Sequence, residues 1–235
     1  MHEPDMPDSP VLPDLGEMRP RTMTEQVFDA LYERIVDLTL SPGTRMSEAE
    51  VAAQMGVSRQ PVRDAFFRLS QLGLLQLRPQ RATIVTLISE RAIREASFIR
   101  QSLELSCIRK AATRLTGAQH DALETLLDQQ QEAEQAGRRG AFHALDEQFH
   151  HDIATYADLG FVWTLVKEQK GHMDRARFQS LSFSPGRVLS EHRDILRALR
   201  RRDPEAAVRA MSVHLGRMNE TLTRLRAEQP DMMGE

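Results

Sequence analysis

Apolar residues recur every three or four positions through Val27, Leu31, Ile35 and Leu38, which predicts one buried stripe on an α-helix. Thr22-Met23-Thr24-Glu25 fits a capping box, a hydroxyl at the N-cap with a carboxylate three residues on. Ser41-Pro42-Gly43 ends that helix. Ser47-Glu48-Ala49-Glu50 repeats the capping signal, and Gly56 suits the left-handed residue that closes a short second helix. Ser58 caps a third helix running to about Leu72, with Pro61 tolerated in its first turn and Gly73 as its stop. The period then changes. Leu75 and Leu77 alternate with Gln76, and Ile84, Val85 and Leu87 lie beyond the polar stretch Arg78-Pro79-Gln80-Arg81, so a β-hairpin is expected. Three helices followed by a hairpin make a winged helix-turn-helix over residues 22–88.

From Ser89 to about Arg226 no strand pattern appears. Helical patterns follow one another, broken at Thr116-Gly117, Gly137 to Gly140, Asp158 to Gly160, Ser184-Pro185-Gly186 and Asp203-Pro204. The expectation is a mainly α protein whose second part, residues 89–228, is an all-helical six- or seven-helix bundle. Residues 1–21 are rich in proline and acidic residues and are expected to be a disordered tail. Arg19 and Arg21 close it, either as a solvated linker end or as an arm touching phosphates. Residues 229–235 are expected to be a flexible tail.

Composition narrows the class. The 235 residues hold 31 Lys and Arg against 34 Asp and Glu, a net charge of -3, which speaks against blanket polyanion binding but leaves room for a local basic surface. No apolar run approaches the ~20 residues needed to cross a bilayer, and the opening residues lack a basic stretch followed by an apolar one, so a cytoplasmic location is the default. The single cysteine, Cys107, sits among Leu103, Leu105 and Ile108 and reads as core filler.

In a helix-turn-helix the second helix of the motif enters the major groove, and its first residues touch base edges. Here that helix begins Ser58-Arg59-Gln60-Pro61-Val62-Arg63. Arg59 and Arg63 share a face, arginine suits guanine O6 and N7, and Gln60 suits adenine. Ser58 at the helix N-terminus suits a phosphate. Arg45, Arg68, Arg78 and Arg81 would extend the basic surface. Pro42-Gly43-Thr44-Arg45, Gly56 to Ala65, Arg68-Leu69 and Gly73-Leu74-Leu75 together resemble the N-terminal domain of GntR-family regulators. The resemblance implies operator contacts by Arg59 and Arg63, with Ser58 and Gln60 beside them. Two positions depart from the family pattern. Ala82 follows Arg81 where a glycine is usual in the wing, and Ala49 stands where many relatives carry a basic residue.

Three later helices carry polar residues on apolar stripes. Phe142, Leu145, Phe149 and Ile153 share a face with Asp146 and His150, which stand one turn apart. His192 lies in the stripe of Val188, Leu189, Ile195, Leu196 and Leu199, and His214 in that of Ala207, Met211, Leu215, Met218 and Leu222. Converging in a bundle core, these groups are either satisfied core side chains or ligands of a divalent metal. His143 is a rival position seven residues before His150, whereas His120, His151 and His172 read as surface or helix-end residues. Asp146-Glu147-Gln148-Phe149-His150, Glu191 to Leu196, Asp203, Ala207, Met211 and His214-Leu215 are similar to the FCD ligand-binding domain of the FadR-like subfamily. That resemblance implies Asp146, His150, His192 and His214 as metal ligands, with zinc, nickel or manganese all compatible. It also implies a small carboxylate-bearing effector on the metal's open positions. Arg100 and Glu104 resemble an Arg-x-x-x-Glu element of the first helix, so both are candidate effector residues, with a plain ion pair as the alternative. Asp158-Leu159-Gly160 replaces a Gly-Asn pair common in relatives.

The function expected is a sequence-specific DNA-binding transcriptional regulator, a ligand-responsive repressor in the commonest form, acting as a homodimer on an inverted-repeat operator. A metal-dependent helical-bundle enzyme, oxygenase or hydrolase, is the alternative from another class. Glu147-x-x-His150 is half of a di-iron motif whose second half is absent, and no nucleophile elbow, Walker loop or dinucleotide fingerprint occurs. A third reading makes the metal purely structural.

Overall fold

The computed structural model describes residues 21–78, 81–180 and 185–234. Most of the expected N-terminal tail, including Arg19, lies outside the described residues, as do residues 79–80 of the expected hairpin turn.

Helix α1 is Met23–Val36. The Glu25 N–H donates to Thr22 Oγ1 at 3.2 Å and the Thr22 N–H to the Glu25 carboxylate at 2.7 Å, so the capping box is complete. Leu38 is not on this helix, since it adopts a φ of 63° just past the end. Helix α2 is Glu48–Met55, capped by Ser47 and closed by Gly56 at a φ of 66°. Helix α3 is Arg59–Gln71. Val27, Leu31 and Ile35 pack against Val62, Ala65, Phe66 and Leu69 in one core. Three strands cover it: β1 Arg45–Met46, β2 Leu75–Gln76 and β3 Thr83–Val85, antiparallel in the order β1-β3-β2. The hairpin was legible from alternation. Strand β1 was not, because two residues are too short to show a period. Leu77, expected within the hairpin, lies beyond β2 and is exposed.

Strand β4, Ile88–Ser89, leads into α4, Glu90–Arg114. The following helices are α5 Gly117–Gln135, α6 Arg139–Tyr156, α7 Gly160–Gln169, α8 Gly171–Ser180, α9 Pro185–Arg200, α10 Pro204–Gly216 and α11 Met218–Glu228. At two of the expected breaks, Thr116 and Asp203 cap α5 and α10 with side-chain oxygens. Among the described residues eight helices stand where six or seven were expected. The additional breaks fall at Lys170 and at Arg217, which keeps helical angles and reads as a kink. Ile108, Leu115, Leu123, Phe149, Ile153, Ile195, Leu199 and Met211 form the bundle core. Cys107 is buried beside Trp163 and Val166.

The C-terminal residues correct an expectation. Pro230–Met232 form a 3-10 turn, and β5, Met233–Gly234, pairs in parallel with β4. Met232 and Met233 pack on Ile88, Ile93, Met173 and Met218. Two methionines in an otherwise polar segment carry no periodic signal, and their partner strand lies far back in the chain.

Candidate functional site

Helix α6 presents Asp146 and His150 one turn apart toward the bundle interior. Helices α9 and α10 bring His192 and His214 to the same point, and all four side chains are buried. One ligand atom from each lies within 4.8 Å of the others. His150 Nε2 is 3.1 Å from His214 Nε2, and His192 Nε2 is 3.4 Å from Asp146 Oδ1.

The outward edge of each ring decides its chemistry. His192 Nδ1 faces Gln130 Oε1 at 2.9 Å, and His214 Nδ1 faces Glu191 Oε2 at 3.2 Å. His150 Nδ1 is 2.7 Å from Glu104 Oε2, off the line of a good hydrogen bond but in close electrostatic contact. An amide or carboxylate oxygen only accepts, so each Nδ1 carries the proton and each Nε2 presents a lone pair inward. Two acceptors then face each other at 3.1 Å, while His192 Nε2 has no hydrogen-bond partner among the described residues. A cation at the centre satisfies that arrangement. Nitrogens bound to one ion at about 2.0–2.1 Å each stand about 3 Å apart, so the donor set fits a divalent metal. Burial, reinforced by the neighbouring imidazoles and arginines, holds His192 and His214 well below the usual histidine range, so both rings are neutral, the form a metal would need.

A cavity of about 230 Å³ opens on this cluster, with Asp146 and His214 in its wall. Arg100, Arg177, Arg187, Arg217 and Arg224 line it, and Glu220 is the one carboxylate besides Asp146 among the lining residues described. The cavity therefore favours an anion. Arg100 is there as expected, but as a buried ion pair with Glu104 at 2.5 Å. Glu104 does not line the cavity. It stands behind His150, away from the wall where an effector contact was expected. Burial raises the Glu104 carboxyl, but Arg100 and His150 together hold it below the usual carboxylate range. His143 does face the cavity, where burial pushes it down to about 3. Its carboxylate neighbours Asp146 and Glu147 are both held by Arg177, and Glu147 also by Lys170.

Sequence reasoning missed Gln130, Glu191, Arg177 and the whole role of α8. Arg177 donates to Asp146 and, at 2.6 Å, to Glu147. Farther toward the N-terminus of the same helix, His172 Nδ1 accepts from the Ser89 N–H at 3.1 Å. Arg175 donates to the carbonyls of Thr86 at 2.6 Å and Leu87 at 3.5 Å, with none of its surface exposed. Tyr32 of α1 donates to Asp174 at 3.3 Å. His172, expected as a surface or helix-end residue, stands second in α8 but is buried where the two parts of the chain meet, and His120, in the first turn of α5, is buried too. Residues 171–176 are buried all round, so α8 shows no amphipathic stripe that could have revealed it.

At the other end of the molecule, Ser58, Arg59, Gln60 and Arg63 are exposed at the start of α3. The Ser58 side chain makes no capping bond. Gln60 donates to Asp64 at 2.9 Å. Arg45 is exposed on β1, Arg81 is exposed at the base of the wing, and Arg78 donates to Gln76. Arg68 is turned aside: its guanidinium stacks 4.2 Å over the Phe28 ring, a cation–π contact within the domain.

Comparison with known proteins matches both parts. Residues 23–85 match the family described as bacterial regulatory proteins, gntR family, and residues 95–217 match the FCD domain. The chain is 38% identical over 215 residues to the HTH-type transcriptional repressor RspR of Escherichia coli (strain K12), covering 91% of this chain and 94% of that protein. It is 33% identical over 224 residues to an HTH-type transcriptional regulator in an unstable DNA locus of Streptomyces ambofaciens, covering 93% and 92%. Among solved structures, E. coli McbR/YncC shares the fold with a TM-score of 0.75 at 23% identity, covering 87% of this chain and 99% of that one. Family and relatives are those of transcriptional regulators, so the enzyme alternative falls away. No helix of the described residues is long and apolar enough to cross a membrane.

Proposed function

The chain belongs to the GntR family of bacterial regulators and carries an FCD domain, and from that premise we propose a ligand-responsive repressor whose helical part binds a divalent metal and a small organic acid. The observation that carries the reading is the set of inward Nε2 lone pairs of His150, His192 and His214 beside Asp146, each ring held from behind by Glu104, Gln130 or Glu191. Asp146, His150, His192 and His214 would hold the ion, and a divalent ion there supplies open positions for a carboxylate. That the cavity wall includes Asp146 and His214 favours an effector-coordinating ion over a purely structural one. Arg100 and Arg177 neutralise an acid entering the cavity, and the bundle core excludes water from the metal's far side.

At the DNA end, Arg59 and Arg63 read base edges, Gln60 assists, and Ser58, Arg45, Arg78 and Arg81 meet phosphates. A homodimer presents two such helices to an inverted repeat in the cytoplasm. The exposed Phe98, Phe161 and Val213 supply apolar surface of the kind a subunit contact covers. Effector binding alters the spacing of the two helices through α8, which touches the metal ligand Asp146 at one end and the domain junction at the other.

Elemental analysis of the native protein, purified without chelator, tests the reading. One first-row metal per chain is expected, lost in Asp146→Ala and His214→Ala variants. A metal-free native protein would overturn it. Thermal shift with a panel of small carboxylic acids, on metal-loaded and stripped protein, then identifies the ligand class.

A further inference from the structure

The two arginines that open α3 are not in equivalent settings. Arg63 lies against Glu48, the first residue of α2, with Nε 3.4 and 3.2 Å from the two carboxylate oxygens and Nη2 3.1 Å from Oε2. No carboxylate is paired with Arg59 among the described residues. The contact with Glu48 uses one edge of the guanidinium, the side formed by Nε and Nη2. A planar guanidinium has five N–H donors, so the end formed by Nη1 and Nη2 remains available for the bidentate contact that recognises guanine O6 and N7.

Stability does not account for the pair. Its side chains are 61% and 35% exposed, and exposed ion pairs contribute little to folding. A carboxylate on a surface that meets phosphates also opposes binding to any nucleic acid. What the carboxylate does supply is orientation, because an arginine fixed in advance loses less freedom when it docks.

We propose that Glu48 is a specificity-determining residue of the DNA-reading surface. It buttresses Arg63 so that the free end of the guanidinium meets a guanine. Its remaining lone pairs accept from the exocyclic N4 amino group of a cytosine in the neighbouring base pair. Glu48 and Arg63 thus read two adjacent positions as one unit, while Arg59 reads independently. The proposal rests on the reading of Arg63 as a base-contacting residue.

The test uses the full-length protein and a duplex selected from a random library by the wild type, compared with a scrambled duplex of equal length. Affinities are measured by fluorescence anisotropy for wild type, Glu48→Gln, Glu48→Asp, Arg63→Ala and the Glu48→Gln/Arg63→Ala double variant. Glu48→Gln is expected to weaken binding to the selected duplex by about five- to twentyfold while leaving the scrambled duplex unchanged or bound more tightly. Glu48→Asp keeps the charge but is one methylene too short to hold the arginine, so it is expected to lose affinity for the selected duplex as well. The double variant is expected to lose less than the sum of the two single losses, because the two side chains act as one unit. If Glu48→Gln tightens both duplexes alike and Glu48→Asp behaves as wild type, the carboxylate only repels phosphate and the proposal is wrong. Additive losses in the double variant overturn it too. If Arg63→Ala itself binds the selected duplex normally, the assignment of Arg63 fails first, and that outcome is distinct from the other two.

Discussion

Gln130 offers a sharp test of the proposed metal centre because it contributes no ligand atom itself and acts only through His192. It is wholly buried on α5, its Oε1 2.9 Å from His192 Nδ1 and its Nε2 without a partner among the described residues. Gln130→Leu keeps most of the volume and removes the acceptor. The buried Nδ1–H then loses its partner at a cost of about 1–3 kcal/mol. The ring escapes that cost by moving its proton to Nε2, where Asp146 Oδ1 stands 3.4 Å away, and in that tautomer Nε2 cannot bind a metal. Either route weakens metal binding, by about 10- to 100-fold for the loss of such an outer partner. A zinc titration against a competing chelator reads this directly.

The same substitution separates affinity from folding. Apo Gln130→Leu should melt close to the apo wild type, because it also deletes an unpartnered amide nitrogen. A 30-fold loss of affinity is about 2 kcal/mol, and a chain of this size melts about 2–4 °C lower per kcal/mol. The metal-induced rise in Tm at fixed zinc should therefore be smaller by about 4–8 °C. Gln130→Glu reverses the sign: a carboxylate acceptor makes His192 a stronger ligand, so zinc binds more tightly while the apo protein, with a new buried charge, is less stable. If Gln130→Leu binds zinc like the wild type while Asp146→Ala does not, His192 is not held by Gln130 for ligation, and the geometry argued above is wrong.

Three further predictions concern other parts of the molecule. Arg59→Ala and Arg63→Ala should each cost about 1–3 kcal/mol of operator affinity and lower the salt slope, and an unchanged affinity and slope in the double variant would refute the assignment of the reading helix. Burial holds His172 down at about 4, so the unfolded chain takes up a proton near ~6.5 that the native protein refuses until lower pH. Stability is therefore full above about pH 6.5 and falls by up to about 3 kcal/mol on the way to about pH 4, with His192 and His214 adding in the same direction; denaturant titrations of wild type and His172→Gln should differ in that slope, and identical slopes would remove His172 from the account. Arg175→Met should leave metal content and effector-induced thermal shift in place but blunt the effector's influence on operator affinity, and an undiminished response would show that coupling bypasses α8.

The parts legible in the sequence are those whose signal is local. Thr22, Ser47 and Asp203 announced helix starts because a cap lies within three residues of the amides it serves, whereas Ser58 marks the start of α3 without a side-chain capping bond. Asp146 and His150 announced themselves by a four-residue spacing, and His192 and His214 by interrupting apolar stripes. Their supports did not. Gln130 reaches His192 across 62 positions of sequence, and Glu104 and Glu191 sit on other helices from the rings they hold. Nothing near Gln130 distinguishes it from the neighbouring glutamines on α5 until the tertiary packing brings it to a ring nitrogen. Arg68 shows a related limit: the spacing that put a cationic side chain on the DNA-reading helix could not show the Phe28 ring, on another helix, that it stacks over.

Helix α8 joins such long-range contacts in the proposed mechanism. Residues 175 and 177 are two apart, so at about 100° per residue their side chains leave the helix on nearly opposite faces. On one face Arg175 is a buried cation held by two neutral carbonyls, those of Thr86 and Leu87, immediately before β4. Burial lowers it to about 10, so it stays charged near neutrality and its environment must keep those carbonyls in place. On the other face Arg177 holds Asp146 and Glu147 beside the cavity. On the proposed function, an acid entering the cavity would compete with Asp146 for Arg177, and any shift of α8 that improved the new pairing would strain the carbonyl cradle of Arg175. The effector can move the domains only by as much as its affinity differs between the two positions of α8. A charge exchange at a buried arginine is a source of such a difference, and the buried charge at the other end makes the junction sensitive to it.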